Sequence, residues 1–113
     1  MTQVTFFTAS DGTFQGFESS GHADGKRVKG YDLVCCAVSA LTQTGVNALE
    51  AVAGITPEVR ISDGYLECLL PETESTEQKS QAQTILSTIL TGLKDIEKVY
   101  PKHVRIQYKE RRQ

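Results

Sequence analysis

Val4 to Ala9 is rich in Phe and β-branched side chains, a pattern that predicts a strand. Asp11-Gly12 marks a hairpin turn. Thr13 to Ser20, with Phe14 and Phe17 as its bulky members, is expected to pair back. Gly21 to Gly30 holds three glycines, two lysines and one arginine with little apolar content, and reads as a loop. Asp32 is a good N-cap, so a helix is expected to start there. Its apolar stripe is Leu33, Ala37, Ala40, Leu41, Thr44, Ala48 and Val52. Gly54 is the expected stop.

Glu58 to Ile61 and Tyr65 to Leu70 predict two strands around an Asp63-Gly64 turn, with Pro71 ending the second. Ser75 followed by Gln78 resembles a capping box. The second helix then carries Ala82, Ile85, Leu86, Ile89, Leu93, Ile96 and Tyr100 at helical spacing, up to Pro101. Val104, Ile106 and Tyr108 alternate as a last strand, and Lys109 to Gln113 reads as a solvated, basic tail. The chain order is β-β-α-β-β-α-β. Its natural solution is an α+β fold, a two-layer sandwich of a mostly antiparallel sheet with two helices on one face.

Size and charge narrow the function. A chain of 113 residues and 12.4 kDa fits one domain, residues 1–113, and no repeat or linker divides it. Net charge is -2 and the pI about 5.6, which argues against a basic nucleic-acid binder. The longest mostly apolar stretch, Leu33 to Leu41, is too short to span a bilayer. No basic segment precedes the first apolar residues, so the N-terminus is a poor signal peptide. A cytoplasmic protein is expected.

There are three cysteines, Cys35, Cys36 and Cys68. An odd number, two of them adjacent, is not a disulfide framework. Adjacent cysteines also miss the usual zinc-ligand spacing, so no metal site is expected from them and His22. Cys36 and Cys68 read as packing thiols, the face of Cys68 being set by the pleat. His103 reads as an exposed residue. Glu72, Glu74 and Glu77 read as a solvated helix entrance favoured by the dipole.

With Asp32 as N-cap, Cys35 is the third helical residue. Free N–H groups and the positive end of the helix dipole would stabilise a thiolate there. His22, at the end of the second strand, is a candidate base for it. The same N–H groups would help hold an oxyanion. Ser39, one turn on, shares the face of Cys35 and is placed to hydrogen-bond a substrate or the imidazole. Asp32 is a candidate to orient the histidine, or is occupied as the cap. Spacing alone leaves two readings open. One is a cysteine nucleophile. The other is a non-catalytic protein that clasps an extended peptide, with Cys35 serving only packing.

Gly21-His22-Ala23, followed by Gly30-Tyr31-Asp32-Leu33-Val34-Cys35-Cys36-Ala37-Val38-Ser39-Ala40-Leu41, resembles the signature of the ribosomal-processing cysteine protease family, Prp. The resemblance extends to Val46-Asn47-Ala48 and to the element order. It implies a small cytoplasmic cysteine endopeptidase without a cofactor. Such an enzyme removes a short Phe-rich N-terminal extension from the precursor of a large-subunit ribosomal protein. The resemblance also implies a homodimer, and it makes the alternative a non-catalytic ribosome-associated peptide-binding protein. On it, the nucleophile falls on Cys35 and the base on His22. Gly21 and Gly30 flank the loop that rearranges around substrate, and Ala23, Asp32 and Ser39 match further motif positions. Cys36 stands where the family usually has Ala, and the loop from Asp24 to Lys29 is about a residue longer than is typical.

Overall fold

The computed structural model describes residues 1–21, 29–73 and 75–111, with residues 29–32 described as backbone only. In chain order the elements are β1 (Thr2–Thr8), β2 (Phe14–Ser20), α1 (Lys29–Ala51), β3 (Glu58–Ser62), β4 (Tyr65–Leu69), α2 (Thr76–Val99) and β5 (Val104–Glu110). This is the expected order. In space the strands run β3-β4-β2-β1-β5. Neighbours pair antiparallel except β1 and β5, which are parallel, so the sheet is mixed.

The hairpins form where the Asp-Gly pairs place them. Gly12 and Gly64 take φ of 87° and 69°, a region open to glycine at little steric cost. Asp11 accepts hydrogen bonds from both the N–H and the hydroxyl of Thr13, which fixes the first turn. At the far edge β5 outruns its expected end. Lys109 and Glu110 pair with Phe7 and Thr8. Arg111 then donates its N–H to the Thr8 carbonyl and sets its guanidinium 5.0 Å from the Phe7 ring centroid. The segment read as a solvated tail is therefore partly strand, held by main-chain pairing and a cation–π contact.

One face of the sheet carries the core. Val4, Phe6, Phe17, Cys68 and Val104 meet Val34, Val38 and Leu49 of α1 and Ala82, Leu86, Ile89 and Leu93 of α2. The buried face of α1 is therefore Val34, Val38, Thr42, Gly45 and Leu49, with Ala53 buried just past its end, about one residue round from the stripe read from the sequence. Leu33 and Val52, both expected inside, are each 63% exposed. The reason lies in helix packing. Ile89 fills the space where a side chain at Gly45 would stand, and Leu41 does the same at Gly92. Each helix thus offers a notch to a bulky residue of the other. Thr42 enters the core because its hydroxyl bonds back to the Val38 carbonyl at 3.0 Å, which satisfies it without a water.

The helix ends follow capping rules. Gly54 takes φ 66° and donates its N–H to the Glu50 carbonyl, closing α1. Ser75 caps α2 by accepting from the Gln78 N–H. The side chain of Gln78 does not reach back to Ser75, as a full capping box would require. It accepts from the Thr73 hydroxyl and donates to the carbonyls of Ala53 and Gly54, tying the end of α1 to the start of α2. Tyr100 closes α2 with its N–H on the Ile96 carbonyl. His103, read as exposed, is half-buried beside the Tyr100 ring, with centroids 6.4 Å apart.

Candidate functional site

In the chain the candidate residues fall between the end of β2 and the first half of α1. Gly21 follows β2 with φ 102°, a conformation that side chains rarely adopt. A Cβ there would overlap the carbonyl oxygen of Met1. The Gly21 N–H donates to the Gly64 carbonyl at 3.0 Å. The chain is thus fixed beside the β3–β4 turn at the residue before His22. His22 and Ala23 themselves lie outside the described residues.

α1 starts at Lys29, three residues before the expected cap. Gly30 and Asp32 are its second and fourth residues, so Asp32 is not the N-cap. Cys35 is the seventh. The free N–H groups of a helix belong to its first four residues, so the expected oxyanion donors and dipole effect do not fall on Cys35. What does position Cys35 is its neighbours. Val34 and Val38 are buried and anchor this part of α1 on the sheet. Cys35 is left half-buried on the flank, with Ser39 exposed one turn further on. Cys36 is exposed, which corrects its reading as a packing thiol. Of the two adjacent thiols, one meets solvent freely and the other is partly shielded.

Cys68 is the packing thiol. It is fully buried and opposite Phe17, and burial pushes its pKa up to about 12. It stays neutral through physiological pH. In the unfolded chain a thiol ionises near pH 8.5, while the folded chain holds its proton. Stability is therefore full below about pH 8.5 and falls as pH rises from there toward 12. Urea midpoints measured from pH 7 to 11 should fall more steeply for wild type than for Cys68→Val.

A polar group on the open face of the sheet gave no motif to read. The Tyr65 hydroxyl lies 2.8 Å from Glu18 and 3.2 Å from Glu67. The hydrogen bond to Glu18 is the main cause of a Tyr65 pKa raised to about 12. The strand register sets Glu18 opposite Glu67, so the phenol proton separates two carboxylates. A cleft of about 820 Å³, lined in part by Phe14, Ile55, Leu70 and Gln83, opens at the other end of the sheet, by the β1–β2 turn. It does not include Cys35.

A family model described as cysteine protease Prp matches residues 1–105. The chain belongs to the Prp family of cysteine proteases. The ribosomal processing cysteine protease Prp of Bacillus subtilis (strain 168) is 32% identical over 108 residues, covering 94% of this chain and 96% of that protein. Prp of Staphylococcus aureus (strain Mu50) is 31% identical over 111 residues, covering 96% of this chain and all of that one. Among solved structures, SMU.848 from Streptococcus mutans superposes with a TM-score of 0.83 at 28% identity, covering 98% of this chain and 96% of that chain. S. aureus Prp in complex with a substrate peptide also gives 0.83 at 28% identity, over 96% of this chain and 100% of that one. Prp chemistry is that of a cysteine protease engaged in ribosomal processing. No helix among the described residues is long and apolar enough to cross a membrane.

Proposed function

We propose that this chain is a cytoplasmic endopeptidase that removes a short Phe-rich N-terminal extension from a large-subunit ribosomal protein, with Cys35 as nucleophile and His22 as base. The observation that carries the assignment is the placement of Cys35. It is half-buried early in α1, the helix that follows His22 in the chain, between the buried Val34 and the exposed Cys36. A partly shielded thiol suits attack on a bound carbonyl, because neighbouring side chains exclude some of the competing water. The family match and the peptide complex of the S. aureus relative support the substrate class.

In this reading His22 takes the Cys35 proton, and the thiolate attacks the scissile carbonyl. The tetrahedral intermediate collapses to an acyl-enzyme as the leaving amine takes a proton from His22, and water then releases the product. Gly21 and Gly30 bound the segment that carries the base. Ala23, Asp32 and Ser39 are assigned supporting roles on the family motif, with Ser39 one helical turn on from Cys35. No cofactor enters. The resemblance extends the proposal to a homodimer.

The test is intact-mass analysis of a ribosomal-protein precursor after incubation with the enzyme. One defined loss, matching the N-terminal extension, is the expected result. Binding of the precursor without any mass change would instead favour a peptide-clasping protein.

A further inference from the structure

Among the described residues β3 forms one edge of the sheet and pairs only with β4, and all five of its residues are exposed. Which of its main-chain groups face outward follows from the ladder. The Leu70 N–H reaches the Gln15 carbonyl at 2.9 Å, so position 70 is directed at β2. Direction alternates along an antiparallel strand, so Leu66 and Cys68 also address β2, while Tyr65, Glu67 and Leu69 address β3. Their register partners Ser62, Arg60 and Glu58 turn inward to meet them. The N–H and C=O groups of Val59 and Ile61 therefore face away from the sheet.

The side chains of these two residues share the helix-covered face, because Val59 pairs with buried Cys68 and Ile61 pairs with Leu66, which packs on the core. Ile61 is 75% exposed. α1 is the helix nearer this edge, since α2 lies toward β5, where Glu97 accepts the Ile106 N–H. On α1, Leu41 and Gly45 meet α2, and Val34, Val38 and Leu49 meet the sheet. At roughly 100° per residue, Cys35, Ser39 and Val46 fall beyond the sheet-facing residues, on the flank turned from α2 toward β3. The open strand and the candidate nucleophile thus border the same side of the fold.

We infer that the free edge of β3 is the docking strand for the substrate. An extended apolar peptide adds there as a sixth strand, bonding the main chain of Val59 and Ile61. Its alternate side chains lie against those two residues, and its scissile carbonyl is carried toward Cys35. The inference rests on the protease reading above. A second copy of the chain fits the edge less well. The centred antiparallel register that uses both outward-facing residues of each copy sets Arg60 opposite Arg60, a like-charge pair.

The test uses a fluorescent synthetic peptide spanning the precursor's extension and the first residues of the mature protein. Each backbone amide is methylated in turn, and binding is measured by anisotropy to the full chain carrying Cys35→Ala. Methylation at two positions two residues apart should weaken binding at least about tenfold, with the intervening amide tolerated within about twofold. Ile61→Lys, at a position too exposed to threaten folding, should weaken binding of the parent peptide to a similar extent. Absence of binding, a flat methylation profile, or an Ile61→Lys protein that binds normally would each overturn the docking strand. An Ile61→Lys change that shifts only the sedimentation coefficient would give the edge to a second copy. Cleavage of the parent peptide by wild type is scored separately, so the protease reading stands or falls on its own result.

Discussion

Cys35→Ala is expected to lower precursor cleavage at least about a thousandfold, while Cys36→Ala retains most of it. The contrast is informative because the two thiols are chain neighbours. They differ by roughly 100° in direction around α1, which leaves Cys36 exposed and Cys35 half-buried. Alanine at Cys35 removes one sulfur from a partly shielded position and should leave the far-ultraviolet circular dichroism unchanged. Loss of turnover without loss of fold then assigns the chemistry to that sulfur. Mass spectrometry of a trapped acyl-enzyme would show the adduct on the peptide containing Cys35 and Cys36, and the Cys36→Ala protein would still form it. Equal rates for Cys35→Ala and wild type would end the nucleophile assignment.

Gly16→Ala should cost about 3 kcal/mol or more of folding stability, read as a fall in the urea midpoint at unchanged slope. Gly16 has φ 150° and sits between Phe7 of β1 and Leu69 of β4. An added Cβ would run into the Cys68 carbonyl oxygen and crowd the Leu69 Cα. Both obstacles are backbone, which cannot rotate aside. The neighbouring β1–β2 ladder is already irregular, with a register shift between Phe7 and Thr8, so the glycine absorbs the bend of a bulge. Domains of this size hold only about 5–15 kcal/mol in reserve, so a substantial part of the stability is at stake in one methyl group. A midpoint within experimental error of wild type would refute the argument.

The element order was legible in the sequence because its punctuation is strong. Asp11-Gly12, Asp63-Gly64, Ser75 and Pro101 each stop or start an element for a local reason, and the structure keeps all four boundaries. The start of α1 was not legible. Lys29, Gly30 and Tyr31 precede a good capping residue, yet an aspartate is equally at home inside a first turn, where the dipole favours its charge. The buried face of α1 was hidden for a different reason. It includes Thr42 and Gly45, which do not look apolar, and it leaves out Leu33 and Val52, which do. Only the position of α2, with Ile89 seated over Gly45, decides between the two faces.

The candidate site was legible as a string of residues from Gly21 to Ser39, but its surroundings were not. Val59 and Ile61 alternate with polar residues as any half-buried strand would. That β3 is an edge, and which of its amides point outward, depends on the order of strands in space. That order is set by a pairing between distant parts of the chain, which local periodicity does not encode.

The parallel pairing of β1 with β5 brings residues 2–8 against residues 104–110. During translation β1 waits for a neighbour that lies about a hundred residues further along the chain. Contacts so distant in sequence form late and slow folding. Until β5 arrives, β1 keeps one side unpaired, an open template for other nascent strands. A bulky partner joined shortly after Arg111 would crowd this closing step, and a flexible spacer there should raise the yield of folded protein.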